Sequence, residues 1–298
     1  MHAGDGPPLR VAVIGASGAL GMQTVPRLVE RGHEVRALST SAQTLARLRP
    51  YGVAGHIGSI LDPVSLAPML AGCNAVMHLA TAIPPHGTGA ADAAKIWALN
   101  ARIRTEGTEN LLAASAAAGI TRYLQQSIAH LAASDAGEWV DETSPVIATP
   151  ANQATVDMEA KVIASPLDWR IVRGGAFYGP GSGREAFWLG AARAGTLKLP
   201  GDGGAYISLA HTADVAAACV AAIEISTGRF IVNAVDDEPV TYAGLFSHLA
   251  ALAGGPTPVS GGPSGLPSFR ARNLRARELL GWRPFYPSYR SGWAGSGK

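Results

Sequence analysis

Short apolar segments alternate with amphipathic segments along the first 175 residues. The apolar, β-branched segment 9–14 ends at a glycine, and residues 21–31 then carry Met22, Val25, Leu28 and Val29 at helical spacing. This alternation predicts strands that are joined by helices, and strands without polar alternation indicate a sheet that is buried on both faces. We therefore expect an α/β protein with a doubly wound, Rossmann-type parallel sheet.

The pattern changes after residue 175. Residues 174–183 and 200–204 are loops rich in glycine and proline, and one more helix, at 213–224, and one more strand, at 229–233, follow. Residues 239–290 have the pattern of small helices joined by loops. This change in the residue pattern indicates that a second, smaller unit follows the doubly wound domain.

Composition excludes several classes of protein. Apolar residues make up 47% of the chain and charged residues 15%, enough for a large core without disulfides. The net charge of +2 lacks the basic stripe of a nucleic-acid-binding protein. Cys73 and Cys219 lie far apart without metal-ligand spacing, so we expect reduced cysteines and no metal. No signal peptide is apparent in residues 1–8 and no apolar run approaches about 18 residues, so we expect a cytoplasmic protein without a membrane span.

A glycine-rich segment joins the first strand to the first helix. Gly15, Gly18 and Gly21 form a GxxGxxG motif at the point where dinucleotide-binding loops need a tight turn, a close approach of the pyrophosphate and close helix packing. The amino end of the following helix offers free N–H groups to phosphates. A turn that serves only packing is the alternative. The predicted cofactor loop comprises Gly15, Ser17, Gly18, Ala19, Leu20 and Gly21.

The end of the second strand bears on the choice between NAD and NADP. A carboxylate there would hold the ribose of NAD, but this chain has Ser39 and Thr40 instead, with Arg36 or Arg47 nearby. This favours NADP over NAD, although these residues could simply begin a loop. Asp62, after a later strand, is a candidate for contact with the adenine, and helix capping is its alternative role.

Several motifs occur together in the order of one known family. They are the glycine loop, Asp62, residues 76–80, Asn100 with 107–112, Gln126 and Ser127, residues 173–181, 211–216 and 279–284. The chain resembles the extended short-chain dehydrogenase/reductases, the NAD(P)-dependent epimerase/dehydratase family, over residues 9–293. The resemblance implies that Leu79 and Ala80 line the cofactor. It also implies a Rossmann domain at 9–175, to which 205–235 return, and a smaller C-terminal α/β substrate-binding lobe at 176–204 and 236–293.

The resemblance also implies where the reaction takes place, and here the chain departs from the family. The family uses a Ser or Thr at the end of the fifth strand and a Tyr-x-x-x-Lys on the next helix, whose lysine lowers the tyrosine pKa and binds the nicotinamide ribose. Ser127 matches the first position and Lys161 the lysine. Asp157 stands where the tyrosine is expected, and no Tyr-x-x-x-Lys occurs in the chain.

Asp157 has three interpretations. It could be a general base in altered chemistry, or the i,i+4 salt-bridge partner of Lys161. Alternatively, another group could take over the role of the tyrosine: Tyr178, Tyr206, His130 or a water molecule. The candidates for the substrate pocket are Tyr178, Trp188 and Tyr206.

These features predict an NAD(P)-dependent oxidoreductase, epimerase or dehydratase that acts on a small carbonyl- or hydroxyl-bearing metabolite, such as an intermediate of secondary metabolism. The alternatives are a non-redox enzyme on the same scaffold and an NAD(P)-binding sensor or assembly protein without turnover. The resemblance further implies a homodimer formed through the helices near 96–118 and 153–164.

Overall fold

A computed structural model describes residues 7–293. Most of the N-terminal segment 1–8 considered above lies outside this range. The strands are β1 Arg10–Ile14, β2 Glu34–Ser39, β3 Ala54–Ile57, β4 Ala75–His78, β5 Arg122–Ile128, β6 Trp139–Val140, β7 Asp168–Gly174, β8 Ala176–Tyr178, β9 Lys198–Pro200, β10 Tyr206–Ile207, β11 Leu209–His211, β12 Phe230–Ala234, β13 Val240–Thr241, β14 Val259–Gly262 and β15 Arg270–Ala271.

The helices surround these strands, and some of them are interrupted or short. They are α1 Gly21–Glu30, α2 Ala42–Ala46, α3 Pro63–Leu70, α4 Ala90–Arg102, α5 Thr108–Ala117, α6 Gln153–Ala164, α7 Arg184–Arg193, α8 Thr212–Glu224, α9 Tyr242–Ala253, α10 Leu274–Leu280 and α11 Tyr289–Trp293. A π-helical segment, Ile103–Gly107, joins α4 to α5. Single 3-10 turns occupy Arg49–Tyr51 and Ala129–Leu131.

The main sheet has seven parallel strands in the order β12-β7-β5-β4-β1-β2-β3. Alternate residues of each strand face opposite sides. Val11 and Val13 belong to a core cluster with residues of α1 and α8. Ala12 and Ile14 belong to a second cluster with residues of α3, α5 and α6. Helices thus cover both faces, and the prediction of a doubly wound Rossmann-type fold is confirmed.

A third apolar cluster fills a smaller C-terminal unit, in which α7 and α9 pack together and two-stranded sheets connect the loops. The boundary between the nucleotide domain and the C-terminal lobe differs in one respect from the expected boundary. Helix α10, assigned above to the lobe, packs on the nucleotide domain, because Ala276, Leu280 and Trp282 join the cluster of α1 and α8. The Trp282 indole also donates a 2.9 Å hydrogen bond to the carbonyl of Asp214 on α8.

Candidate active site

The glycine loop packs tightly against the end of β4. Gly15 has a φ of +85°, and a Cβ there would lie 2.5 Å from the backbone nitrogen of Ala80. A Cβ on Gly21 would overlap the carbonyl oxygen of Gly15. Both positions therefore require glycine for the turn itself and for the packing of α1 on the loop.

Gly18 differs from the other two glycines. The nearest atom to a Cβ at this position would be the Gly15 carbonyl oxygen, 3.4 Å away, so the protein itself leaves room there. Helix α1 begins directly after the loop, and Leu20 at its N-cap makes no side-chain capping hydrogen bond. The open side of Gly18 and the uncapped helix end fit a dinucleotide pyrophosphate, which needs a close approach and N–H donors.

The end of β2 presents hydroxyl groups and one available cation. The Ser39 hydroxyl accepts a hydrogen bond from the Ser41 backbone N–H, and Thr40 is exposed. Arg36 points elsewhere, since its guanidinium donates a 2.5 Å hydrogen bond to the carbonyl of Ala71. Arg47, at the end of α2, is exposed and remains the nearby cation that could accompany a 2′-phosphate.

Asp62 has the capping role that was its alternative above. Its carboxylate accepts a 3.1 Å hydrogen bond from the backbone N–H of Val64 at the start of α3. This bond occupies one of its oxygens, so contact with the adenine stays a prediction. On the next strand, Leu79 is buried and its backbone N–H donates to the carbonyl of Ile14. This bond keeps the segment after β4 against the glycine loop.

Polar side chains converge where the strands of the main sheet end. Tyr123 and Trp169 belong to the core cluster on the α6 side of the sheet. Ser127 and Arg173 each lie four residues farther along the same strand, so they face the same side, and they are register partners. Ser127 is fully buried and its hydroxyl has no hydrogen-bond partner among the described residues. The hydrogen-bonding capacity of that hydroxyl is therefore not used by the described residues.

A buried ion pair fixes the rotation of α6 about its axis. Arg173 donates from Nε to one oxygen of Glu159 at 2.9 Å and from Nη2 to the other at 2.6 Å. Both side chains are buried. Because successive helix residues are about 100° apart, Thr155 shares the inward face with Glu159, whereas positions two residues from Glu159 face away.

Asp157 and Lys161 both lie on that outer face, and the structure corrects the expectations for them. Asp157 is exposed and accepts a 2.8 Å hydrogen bond from the Gln153 side chain. The Lys161 ammonium lies 2.7 Å from Glu109 on α5. The two residues do not form the i,i+4 salt bridge that was one of the three interpretations, and neither lies on the side of α6 that faces Ser127.

The cation on the inner side comes from a different helix. Arg104, in the π-helical segment, is 5% exposed, and its Nη1 donates a 2.8 Å hydrogen bond to the Thr155 hydroxyl. Its Nε has no partner among the described residues. Burial lowers the pKa of Arg104 to about 10, so it stays charged near neutral pH. π-Helical turns are frequent at functional sites.

Sequence reasoning missed both Arg104 and Thr155, although a signal for Thr155 was present. Thr155, Met158 and Val162 are buried, and their spacing is that of the inner face of a helix. That periodicity places Asp157 and Lys161 outside. For Arg104 no local signal exists, because its role depends on the contact with α6.

The other residues considered for the tyrosine's role lie in three different environments. Tyr178 is fully buried in the C-terminal core, packed against Trp293 and His211, so it does not line an open pocket. Tyr206 lies under the Arg270 guanidinium, in contact with the segment around Gly137. His130 follows β5 and is partly accessible, and burial together with nearby arginines lowers its pKa to about 4.

Trp188 is buried on α7, where its ring lies 5.2 Å from that of Phe246 and 4.8 Å from the Arg184 guanidinium carbon. Trp188 is therefore a core residue that also contacts the charged group of Arg184. Within residues 7–293, no group of three or more His, Cys, Asp or Glu side chains could hold a metal ion. No helix in that range is long and apolar enough to cross a membrane.

Comparison with known proteins identifies the family. The model of the NAD(P)H-binding family matches residues 15–224, more than half of the chain. The protein belongs to the NAD(P)H-binding family. Its members' cofactor is the one that the glycine loop fits, and the expected NAD(P) cofactor is confirmed.

Two characterised relatives of this NAD(P)H-binding protein are reductases. The 3-diazoavenalumate denitrifying reductase of a Streptomyces species is 35% identical over 95% of this chain and 99% of the relative. The 2-alkyl-3-oxoalkanoate reductase of Stenotrophomonas maltophilia is 29% identical over 83% of this chain and 77% of the relative. The protein is therefore an NAD(P)-dependent enzyme of oxidoreductase type.

Solved structures agree at the level of the fold. MoeE5 in complex with UDP-glucose and NAD has a TM-score of 0.80 and 21% identity, with 96% of each chain covered. The resemblance to the extended short-chain dehydrogenase/reductases is thus confirmed for family and fold.

Proposed function

We propose that the protein is an NAD(P)H-dependent reductase whose substrate accepts a hydride without a proton from a tyrosine, in the first instance an aromatic diazo compound. The observation that carries this proposal is the inner face of α6, where Thr155 and Glu159 stand and no tyrosine or lysine does. The relative with 35% identity over nearly the whole chain is named for a reductase that acts on a diazo compound.

A diazonium group needs no acid in order to be reduced. Hydride adds to its terminal nitrogen and gives a diazene, R–N=N–H, which loses N2 as its hydrogen moves to carbon. The overall change is R–N2⁺ + H⁻ → R–H + N2, in which the hydride supplies both electrons. A ketone, in contrast, becomes an alkoxide and requires a proton donor. A site without the tyrosine is therefore sufficient for the first reaction.

The protein's own residues would position the two reactants. Bound NAD(P)H supplies the hydride, and the open side of Gly18 with the uncapped end of α1 would hold its pyrophosphate. The unpartnered Ser127 hydroxyl would donate to or accept from the substrate at the end of β5. Arg104, held by Thr155, would place a fixed positive charge on the same side of the sheet.

Ketone reduction is the second candidate, because the relative from Stenotrophomonas maltophilia is named for an oxoalkanoate substrate. It would need a proton from His130 or water. His130, with its pKa lowered to about 4, is neutral near pH 7 and a weak source of that proton.

We further infer that the protein is cytoplasmic and forms a homodimer. Both cysteines are free, in keeping with a reducing compartment. Trp97 on α4 and Ile163 on α6 are 49% and 44% exposed, on the helices expected to meet a second copy. Sedimentation measurements would test the dimer, and a monomer at all concentrations would contradict it.

The test of the function compares substrates at matched concentrations. NADPH and NADH oxidation would be followed with arene diazonium salts, acetophenone and 4-hydroxybenzaldehyde, and released N2 would be quantified. We expect one N2 per cofactor oxidised, loss of label from one only of the two C4-deuterated cofactor epimers, and little reaction with ketones. Ketones reduced faster than the diazonium salts, or label loss from both epimers as in the reaction without protein, would contradict the proposal.

A further inference from the structure

Two arginines beside the end of β5 have no carboxylate partner within residues 7–293. Arg104 is buried and bound through Thr155, with its Nε unpartnered. Arg184, at the start of α7, donates from Nε to the carbonyl of Phe177 at 2.8 Å and lies over the Trp188 ring. Neutral groups thus hold both guanidiniums in place, and neither guanidinium forms an ion pair with a carboxylate among the described residues.

The nearest buried acid cannot neutralise this charge. Glu159 already receives two hydrogen bonds from Arg173, one on each oxygen. The buried set of Arg104, Arg173 and Glu159 therefore carries one excess positive charge. A buried charge without a counter-ion is costly, so this part of the site is arranged for an arriving anion.

His130 directly follows β5, and Arg184 is bound to the segment just after β7, the strand paired with β5. Burial, and then the charges of Arg104 and Arg184, lower the pKa of His130. With a pKa of about 4, its imidazole is neutral near pH 7. It therefore adds a hydrogen-bonding group near the two arginines without adding a third charge.

Aromatic rings border the same region. His86, in the loop after β4, stacks on Phe187 of α7 with ring centroids 4.3 Å apart and an interplanar angle of 8°. The His130 ring itself lies 5.5 Å from that of Phe269. Flat walls of this kind favour a planar ligand, because aromatic faces bind other π-systems by stacking.

We infer that Arg104 and Arg184, together with the neighbouring His130, bind the carboxylate of a planar, conjugated substrate. The inference rests on the proposed function for its substrate and names that substrate's class, a small aromatic or α,β-unsaturated carboxylic acid. Guanidinium groups suit this role, because their N–H groups match the geometry of a carboxylate.

One competing ligand has to be separated from the substrate. A Cβ on Gly181 would lie 3.1 Å from the Cα of Ala19, so the loop before α7 touches the cofactor loop. Arg184 could therefore contact a cofactor phosphate instead. The test consequently measures cofactor affinity as well as acid affinity.

The experiment measures the binding of acid and amide pairs by calorimetry with NADP⁺-saturated protein. The pairs are benzoate and benzamide, and trans-cinnamate and trans-cinnamamide, each nearly identical in shape. We expect at least one acid to bind about tenfold or more tightly than its amide. In Arg184→Met that preference should be lost while the NADP⁺ affinity stays within about twofold.

Arg193→Met is the matched control, because Arg193 is exposed at the other end of α7 and should change neither affinity. Arg184→Lys, which keeps the charge but not the fork of N–H groups, should retain part of the preference. No acid binding better than its amide, or a loss of NADP⁺ affinity without a loss of acid affinity in Arg184→Met, would overturn the inference.

Two measurements on the same protein, cinnamate binding and diazonium turnover, distinguish failure of this inference from failure of the proposed function. Tight cinnamate binding without diazonium reduction would contradict the function and leave the carboxylate site standing. Equal turnover of benzenediazonium and its 3-carboxylate derivative, with equal KM, would support the function and overturn the carboxylate site.

Discussion

Arg104 and Thr155 are joined by a 2.8 Å hydrogen bond across 51 residues of sequence. The bond connects the π-helical segment to the inner face of α6, the side that faces Ser127. A cation is thus present on this side of the sheet, but it is a guanidinium from a neighbouring helix. Lys161, which matched the family motif by sequence, is bound to Glu109 at the surface.

Gly18 gives the sharpest test of the cofactor site. Gly18→Ala should fold with an unchanged melting temperature, because its Cβ would meet nothing closer than 3.4 Å. The methyl group would stand where the pyrophosphate approaches, so we expect NADPH affinity to fall by about tenfold or more. Fluorescence titration of NADPH measures this. Unchanged affinity in the folded variant would mean that the loop does not hold the phosphates.

The Glu159–Arg173 pair should contribute strongly to the integrity of the site. Glu159→Gln leaves the Arg173 charge buried without its partner, which should lower the free energy of unfolding by about 3–5 kcal/mol. Arg102→Gln, which breaks the exposed pair with Glu106, should cost less than about 1 kcal/mol. Urea denaturation distinguishes them. Similar small losses in both variants would show that the buried pair does not fix α6.

Cofactor preference should depend on Arg47 and not on Arg36. If Arg47 accompanies a 2′-phosphate, Arg47→Met should weaken NADPH binding by about tenfold and leave NADH binding unchanged. Arg36→Met removes the hydrogen bond to Ala71 and should leave the ratio of the two affinities as it was. Equal affinities for NADPH and NADH in the unmodified protein would contradict the expected preference for NADP.

His78 predicts a dependence of stability on pH. Burial lowers its pKa from 6.5 to about 4 in the folded protein. Between these values the unfolded chain binds more protons, so this contribution is complete above pH 6.5 and is lost as the pH falls toward 4. The slope from this residue is at most about 1.4 kcal/mol per pH unit.

Comparison with the variant His78→Leu separates the contribution of His78 from those of other titrating groups. Burial raises the pKa of Asp236, which acts in the opposite sense by favouring the folded state as the pH falls. The relevant quantity is therefore the difference in unfolding free energy between the unmodified protein and His78→Leu, measured by urea denaturation at pH 7 and pH 5. The unmodified protein should lose more stability than the variant; equal losses would exclude His78 as the cause.

The parts of the protein that sequence predicted are those that local chemistry determines. Gly15 and Gly21 are required by contacts within one strand–loop–helix unit, so their spacing between a buried strand and a helix identified the loop. Apolar alternation likewise specified the sheet, since burial on both faces leaves few other folds. The lobe boundary was less predictable, because the position of α10 depends on Trp282 reaching α8.

The residues of α6 that face the sheet could not be predicted by motif spacing, because spacing does not determine how a helix is rotated. The match of Lys161 to the family pattern ignored Glu159, whose bond to Arg173 turns Lys161 outward. That bond joins α6 to β7 and became visible only in three dimensions. Arg104 was missed for the same reason, since its partner Thr155 lies on another helix.

The most direct test compares variants on the outer face of α6 with a variant of Ser127, which the inner face of α6 approaches. All are measured in one assay of NADPH-dependent diazonium reduction. The double variant Asp157→Ala/Lys161→Ala should keep kcat/KM within about twofold, whereas Ser127→Ala should lose about tenfold or more at an unchanged melting temperature. A loss of about 100-fold in the double variant, with Ser127→Ala near the unmodified protein, would contradict the account and return the reaction to the outer face of α6.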